Sequence, residues 1–123
     1  TEDLYHGPAH NNLGVVYLKQ GKLYEAAGEF EWARKLMPGH ADPRMNLALT
    51  LETAGHTEDA ISTYRTALEV SPDHIQTIQA LTRLQHKSGK KDAKTVESLQ
   101  TIALRGETPR WRDWAQEMLV RGR

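Results

Sequence analysis

The sequence predicts an all-α fold: about three helix-turn-helix units stacked in series and closed by one further helix. Three observations carry that expectation. The chain matches itself at an offset of 34 residues, its apolar residues recur at helical spacing, and glycine and proline punctuate the runs at fixed places. Setting residues 7–40 above 41–74 pairs Asn12 with Asn46, Leu13 with Leu47, Gly21 with Gly55 and Ala26 with Ala60. Ala33 then meets Ala67, Pro38 meets Pro72, His40 meets His74, and the aromatic residues Phe30 and Tyr64 coincide.

Each element follows in order. In the first unit, 7–40, the stripe Leu13, Gly14, Tyr17, Leu18 marks a half-buried helix, and Gly21 ends it because glycine enters the left-handed region at low cost. Ala26, Phe30 and Ala33 form the stripe of the second helix, and Pro38 follows its end. The second unit, 41–74, repeats the scheme with Leu47, Ala48, Leu51, then Gly55, then Ala60, Ile61, Tyr64, Ala67, Leu68, then Pro72. The small residues Gly14 and Ala48, with Ala26 and Ala60, let helix backbones approach while the rings fill the space beside them. In the third unit, 75–108, Ile78, Leu81, Leu84 and Gly89 continue the first-helix pattern. Its second helix is degenerate: Lys94 stands at the alanine position and no proline closes it. Val96, Leu99, Ile102 and Ala103 suit it if the turn at 90–92 carries one extra residue. Thr108 then reads as an N-cap before Pro109, and Trp111, Trp114, Ala115 and Met118 as the stripe of a capping helix over 109–120. Residues 121–123 are expected to fray. Residues 1–6, with Leu4-Tyr5-His6 leading into Gly7-Pro8, read as a tail or as the remnant of a preceding repeat.

Composition bounds the function. Of 123 residues, 38% are apolar and 26% charged, enough for a core and too apolar for a disordered tail. Cysteine is absent, which removes disulfides, thiolate metal sites and a cysteine nucleophile. Apolar runs are only a few residues long, so no membrane span is expected. The chain begins at Thr1, which suggests processing or excision from a longer protein, and the sequence fixes no compartment. The net charge of zero hides an asymmetry. Residues 1–74 hold 11 Asp/Glu and 6 Lys/Arg, a balance of −5, and residues 75–123 hold 5 and 10, a balance of +5.

Catalytic chemistry is not indicated. No phosphate-binding glycine loop, nucleophile elbow or zinc-protease motif occurs. His6 and His10 lie four apart, but Pro8 between them is expected to break a helix there. His40 and His74 share a repeat position, one repeat apart, without accompanying ligands, so they read as exposed histidines. The pair Glu58-Asp59 opens a helix, where anions suit the helix N-terminus. Neither metal nor cofactor is expected, and the chain does not read as an enzyme.

At the level of individual positions, the pattern resembles the tetratricopeptide repeat (TPR). The family consensus has Leu-Gly, Tyr, Gly, Ala, an aromatic residue, Ala and Pro at these spacings. The first unit, Gly7-Pro-Ala-His-Asn-Asn-Leu-Gly-Val-Val-Tyr-Leu-Lys-Gln-Gly, departs from it chiefly in His10, where tryptophan is usual. The resemblance implies a right-handed α-solenoid whose concave wall is built from first helices. It then places Pro8, Asn11, Val15 and Leu18, Asp42, Met45, Leu49 and Glu52, and Gln76, Gln79, Arg83 and His86 along that wall, with Arg112 and Gln116 from the last helix. The expected partner-binding residues are Asn11, Val15, Leu18, Met45, Asn46, Leu49, Glu52, Gln79, Arg83, His86 and Arg112.

Val15, Leu18, Met45 and Leu49 would form an exposed apolar patch, which marks a binding surface, beside basic groups at Arg83, Lys87 and Arg112. The expected function is therefore a non-catalytic scaffold that binds a protein or peptide with apolar anchors and an acidic stretch. Covering of Val15 and Leu18 by the N-terminal tail or by further repeats is the competing use of that surface. The subfamily that clamps chaperone C-terminal carboxylates would need Lys, Asn, Asn, Lys and Arg where this chain has Asn11, Val15, Asn46, Gln76 and Ala80. Only Asn46 agrees, so that ligand is not expected. Trp32 reads as packing on Tyr5 or on a neighbouring repeat, and Trp111 and Trp114 as cap residues against Leu99 and Ile102. Alternatives are head-to-tail self-assembly into a homo-oligomer through the charge asymmetry, or a TPR region of a larger enzyme or of a secretion or assembly complex. Lys90, Lys91, Lys94, Arg105, Arg110 and Arg112 make a basic face read as solvated, and nucleic acid is not an expected partner.

Overall fold

Every regular element in the computed structural model, which describes residues 6–122, is an α-helix. The helices group into two units, Thr1–Pro72 and Asp73–Arg123. Leu4 and Tyr5, and with them the expected remnant of a preceding repeat, lie outside the described residues.

The first unit holds α1 (Gly7–Lys19), α2 (Leu23–Leu36), α3 (Ala41–Thr53) and α4 (Thr57–Val70). Pro8 does not break α1, contrary to the sequence expectation. It sits in the first helical turn, where the amide it lacks has no intrahelical acceptor to lose. Both hairpins turn the same way. Gly21 and Gly55 adopt φ of 75° and 87°, and the following amides of Lys22 and His56 reach back to the Tyr17 and Leu51 carbonyls at 2.9 Å each. A residue with a side chain is strained in that conformation, so glycine recurs at this point of each unit.

Small residues and rings make the core. Ala26, Phe30, Ala33, Ala48, Ala60, Tyr64 and Ala67 are completely buried. Gly14 lies directly over the Phe30 ring: a Cβ on it would stand 2.5 Å from Phe30 Cε1. The corresponding positions of the second hairpin are Ala48 and Tyr64, and the Tyr64 hydroxyl donates to Glu52 Oε1 at 2.9 Å. The polar tip of the ring is thereby satisfied while its body is buried.

The second unit holds α5 (Ile75–Ser88), α6 (Thr95–Arg105) and α7 (Pro109–Arg121). Gly89, at φ 71°, repeats the turn of Gly21 and Gly55, with the Lys90 amide on the Gln85 carbonyl at 2.9 Å. After it the chain departs from the repeat, because α6 starts only at Thr95 and is 11 residues long, against 14 for α2 and α4. Its buried residues are Thr95, Leu99 and Ile102, with the same spacing as Ala60, Tyr64 and Ala67 but 35 residues on. Thr95 thus occupies the small-residue place, and Val96 is 57% exposed instead of joining the stripe.

Polar side chains fasten this unit. The Asp92 carboxylate accepts from Gln85 Nε2 at 3.0 Å and from the Lys94 amide at 2.9 Å, while the Asp92 amide donates to Thr95 Oγ1 at 2.9 Å. The connection before α6 is thereby tied to α5. Glu107 does the same for the connection before α7. Its carboxylate accepts from Gln79 Nε2 at 2.9 Å and Gln76 Nε2 at 3.0 Å, and its amide donates to Gln79 Oε1 at 2.9 Å. Thr108 then caps α7, its hydroxyl accepting from the Trp111 amide at 3.2 Å.

Three substitutions test this packing. Gly14→Ala should lower stability by about 1–3 kcal/mol, because the buried Phe30 ring cannot yield to the new methyl. Gly28→Ala, within α2 and facing open space, should raise it by about 0.5–1 kcal/mol. Urea titrations of both variants against wild type check the pair, and a loss in both would refute the packing described. Glu107→Ala removes the acceptor of the buried Gln79 Nε2, while the backbone bond from residue 107 to Gln79 Oε1 persists, and should cost about 1–3 kcal/mol. A Glu107→Ala protein melting with wild type would show that the fastening contributes nothing.

Candidate protein-binding surface

In the first unit, α1 and α3 run beside one another, and a side-chain amide pair joins them: Asn46 Nδ2 donates to Asn11 Oδ1 at 3.0 Å. Asn11, Val15 and Leu18 share one face of α1 by their i, i+4, i+7 spacing, and Met45, Leu49 and Glu52 share one face of α3 in the same way. Val15, Leu18, Met45 and Leu49 are half-buried, less open than the sequence suggested. Adjacent helices shield the flanks of each other's side chains. Glu52 is oriented by the Tyr64 hydroxyl, so its carboxylate is held in place on the wall.

The second unit uses its corresponding residues differently. Gln79 is only 2% exposed and spends both ends of its amide on Glu107, so it is not presented on an open wall. Arg112 is half-buried and its Nη1 donates to the Gly106 carbonyl at 2.7 Å. Both corrections have one cause. The connection before α7 passes close to α5, and long polar side chains reach its backbone and close on it. Arg83 remains exposed. His86 packs edge-on against Trp114 at 5.8 Å between ring centroids, and burial, followed by the neighbouring Lys91 charge, lowers its pKa below the ordinary histidine value. Trp111 in turn meets Trp114 edge-to-face at 5.6 Å.

Trp32 stacks on His10 at 6.0 Å within its own hairpin, and His10 Nδ1 pairs with Glu29 Oε1 at 2.8 Å. Histidine at the position where tryptophan is usual has thus become the platform for a tryptophan on the next helix. Tyr5, the other candidate neighbour, is outside the described residues. Glu107 and Asp92, which position the second unit, were not singled out from sequence. The one signal was that each lies two or three residues before a helix start, Glu107 before Thr108-Pro109 and Asp92 before Thr95. Among the described residues no group of three or more His, Cys, Asp or Glu could hold a metal ion, and no helix is long and apolar enough to cross a membrane.

Comparison with known proteins follows the repeat. The family model of the protein kinase G tetratricopeptide repeat matches residues 12–108. The chain is 30% identical over 99 residues to Protein NPGR1 of Arabidopsis thaliana, covering 79% of this chain and 14% of that protein. Among solved structures, the TPR domain of Arabidopsis OM64 superposes with a TM-score of 0.80 at 11% identity, covering 98% of this chain and 99% of that one. Yeast Tom70 superposes with a TM-score of 0.77 at 21% identity, covering 94% of this chain and 23% of that one. The chain spans only a small part of NPGR1 and of Tom70. It has the all-α solenoid fold of TPR domains and belongs to the protein kinase G tetratricopeptide repeat family.

Proposed function

We propose that the chain is a non-catalytic interaction module whose first unit binds a protein segment along the α1 and α3 wall. The observation that carries this reading is the Asn46–Asn11 bond, which sets two first helices side by side. Val15 and Leu18 from one helix and Met45 and Leu49 from the other then offer apolar contact, with partly exposed amides between them. Such a surface suits a segment with apolar anchors and with backbone or side-chain groups that bond to amides. Arg83, at the same repeat position of α5 in the second unit, is exposed there and suits an acidic partner.

The test is a pull-down from source lysate with wild type beside the variant Leu49→Asp. A protein retained by wild type and lost with the variant, whose helicity matches wild type, is the expected result. Equal recovery on both would remove the wall from the function.

A second reading rests on a separate observation. Ala9, Leu13 and Val16 form a stripe on α1 that is exposed, Leu13 at 40% and Val16 at 47%. At the same repeat positions of α3, on which α2 packs, Pro43 and Thr50 are buried and Leu47 is half-buried. The α1 stripe would receive a helix from a second copy, and the −5 and +5 charge balances along the chain favour head-to-tail pairing. Sedimentation velocity at high protein and low salt should then show oligomers that Val16→Lys disperses. A monomer throughout would reject self-assembly.

A further inference from the structure

The second unit contains a cleft of about 400 Å³ between the end of α5, the first turns of α6 and the end of α7. Val96, Leu99, Met118 and Leu119 line it with hydrocarbon, and His86 and Lys91 stand on its polar side. Its size is near the small end of ligand clefts, about 300–1,000 Å³, room for one bulky side chain and its neighbours. The segment bordering it, 87–94, carries four lysines and one carboxylate. That carboxylate, Asp92, accepts from Gln85 Nε2 and from the Lys94 amide, and the segment keeps a net positive charge. His86 Nε2 is buried with no hydrogen-bond partner. Val96 exposes apolar surface at the cleft, where the stripe of α6 has no use for it.

We propose that this cleft is a second docking site, which takes one bulky apolar side chain from an acidic segment of a partner protein. Charge selects the occupant: a lysine-rich border attracts carboxylates and repels basic segments, while the hydrocarbon lining supplies the anchor pocket. A nucleic acid would satisfy the charge but not the lining. Its bases need open ring faces, and Trp111 and Trp114 are half-buried and packed against each other. The site is built from second-unit residues alone and shares only His86 with the residues expected from the repeat.

The experiment is an amide-resolved NMR titration of the 15N-labelled chain with the capped peptide Glu-Glu-Phe-Glu-Glu. A peptide with serine for phenylalanine and an oligothymidylate serve as comparisons. Saturating shifts centred on the amides of Val96, Leu99 and Leu119 are expected, at least tenfold weaker binding of the serine peptide, and at least fivefold weaker binding to Lys91→Glu. Leu49→Asp should bind as wild type, which separates this site from the α1 and α3 wall. Val96→Glu, at an exposed position, should keep its fold and lose the shifts. Absence of saturating shifts, shifts centred on α1 and α3, oligothymidylate binding in place of the peptide, or unaltered binding to folded Lys91→Glu and Val96→Glu would each overturn the proposal.

Discussion

The close approach of two helices over a small residue is the constraint on which the first unit depends. Helices of 13 or 14 residues are marginal in water by themselves, so each must draw its stability from its neighbour. At Gly14 the backbone of α1 comes down on the Phe30 ring with no room for a methyl group. Everything else in the hairpin is compatible with that distance: alanines at Ala26 and Ala33, a left-handed glycine to reverse the chain, and a ring filling the space that small residues leave. The second hairpin solves the same problem with Ala48 and Tyr64 and gains a hydrogen bond to Glu52. One geometry thus tolerates two pairs of residues.

The second unit lacks this device and is held differently. With Thr95 at the small-residue place and a late start to α6, polar groups replace part of the apolar closure. Asp92 and Glu107 each sit on the connection before a helix and bond back to glutamines of α5. A buried amide such as Gln79 is costly unless fully satisfied, and here both its ends are. The same bonds that order the unit withdraw Gln79 and Arg112 from an open surface. Exposed on the second unit are instead its lysine-rich turn and Arg83, with an apolar cleft beside α7.

The two units therefore present different chemistry. The first has an apolar wall with amides between α1 and α3 and carries an excess of carboxylates along its sequence. The second is basic, with its hydrocarbon gathered in one cleft. Charge of this kind governs the approach and choice of partners more than it governs folding, since exposed charges are screened over about 8–10 Å at physiological salt.

The repeat, its helices and its turns were legible in the sequence because they rest on local requirements. A glycine every 34 residues, at Gly21, Gly55 and Gly89, reports a backbone conformation that other residues resist, and apolar spacing reports which face of a helix is covered. The one-residue insertion that sets Thr95, Leu99 and Ile102 out of phase was also readable as spacing, although not the choice of Thr95 over Val96 for the buried place. Only the tertiary structure decided how open each wall position is and which polar groups meet. Gln79 and Glu107 are 28 residues apart and carry no mark of pairing, and His10 gives no sign in sequence that it supports Trp32. Such pairings depend on distances between separate elements, set by packing of the whole unit, and no local pattern encodes them.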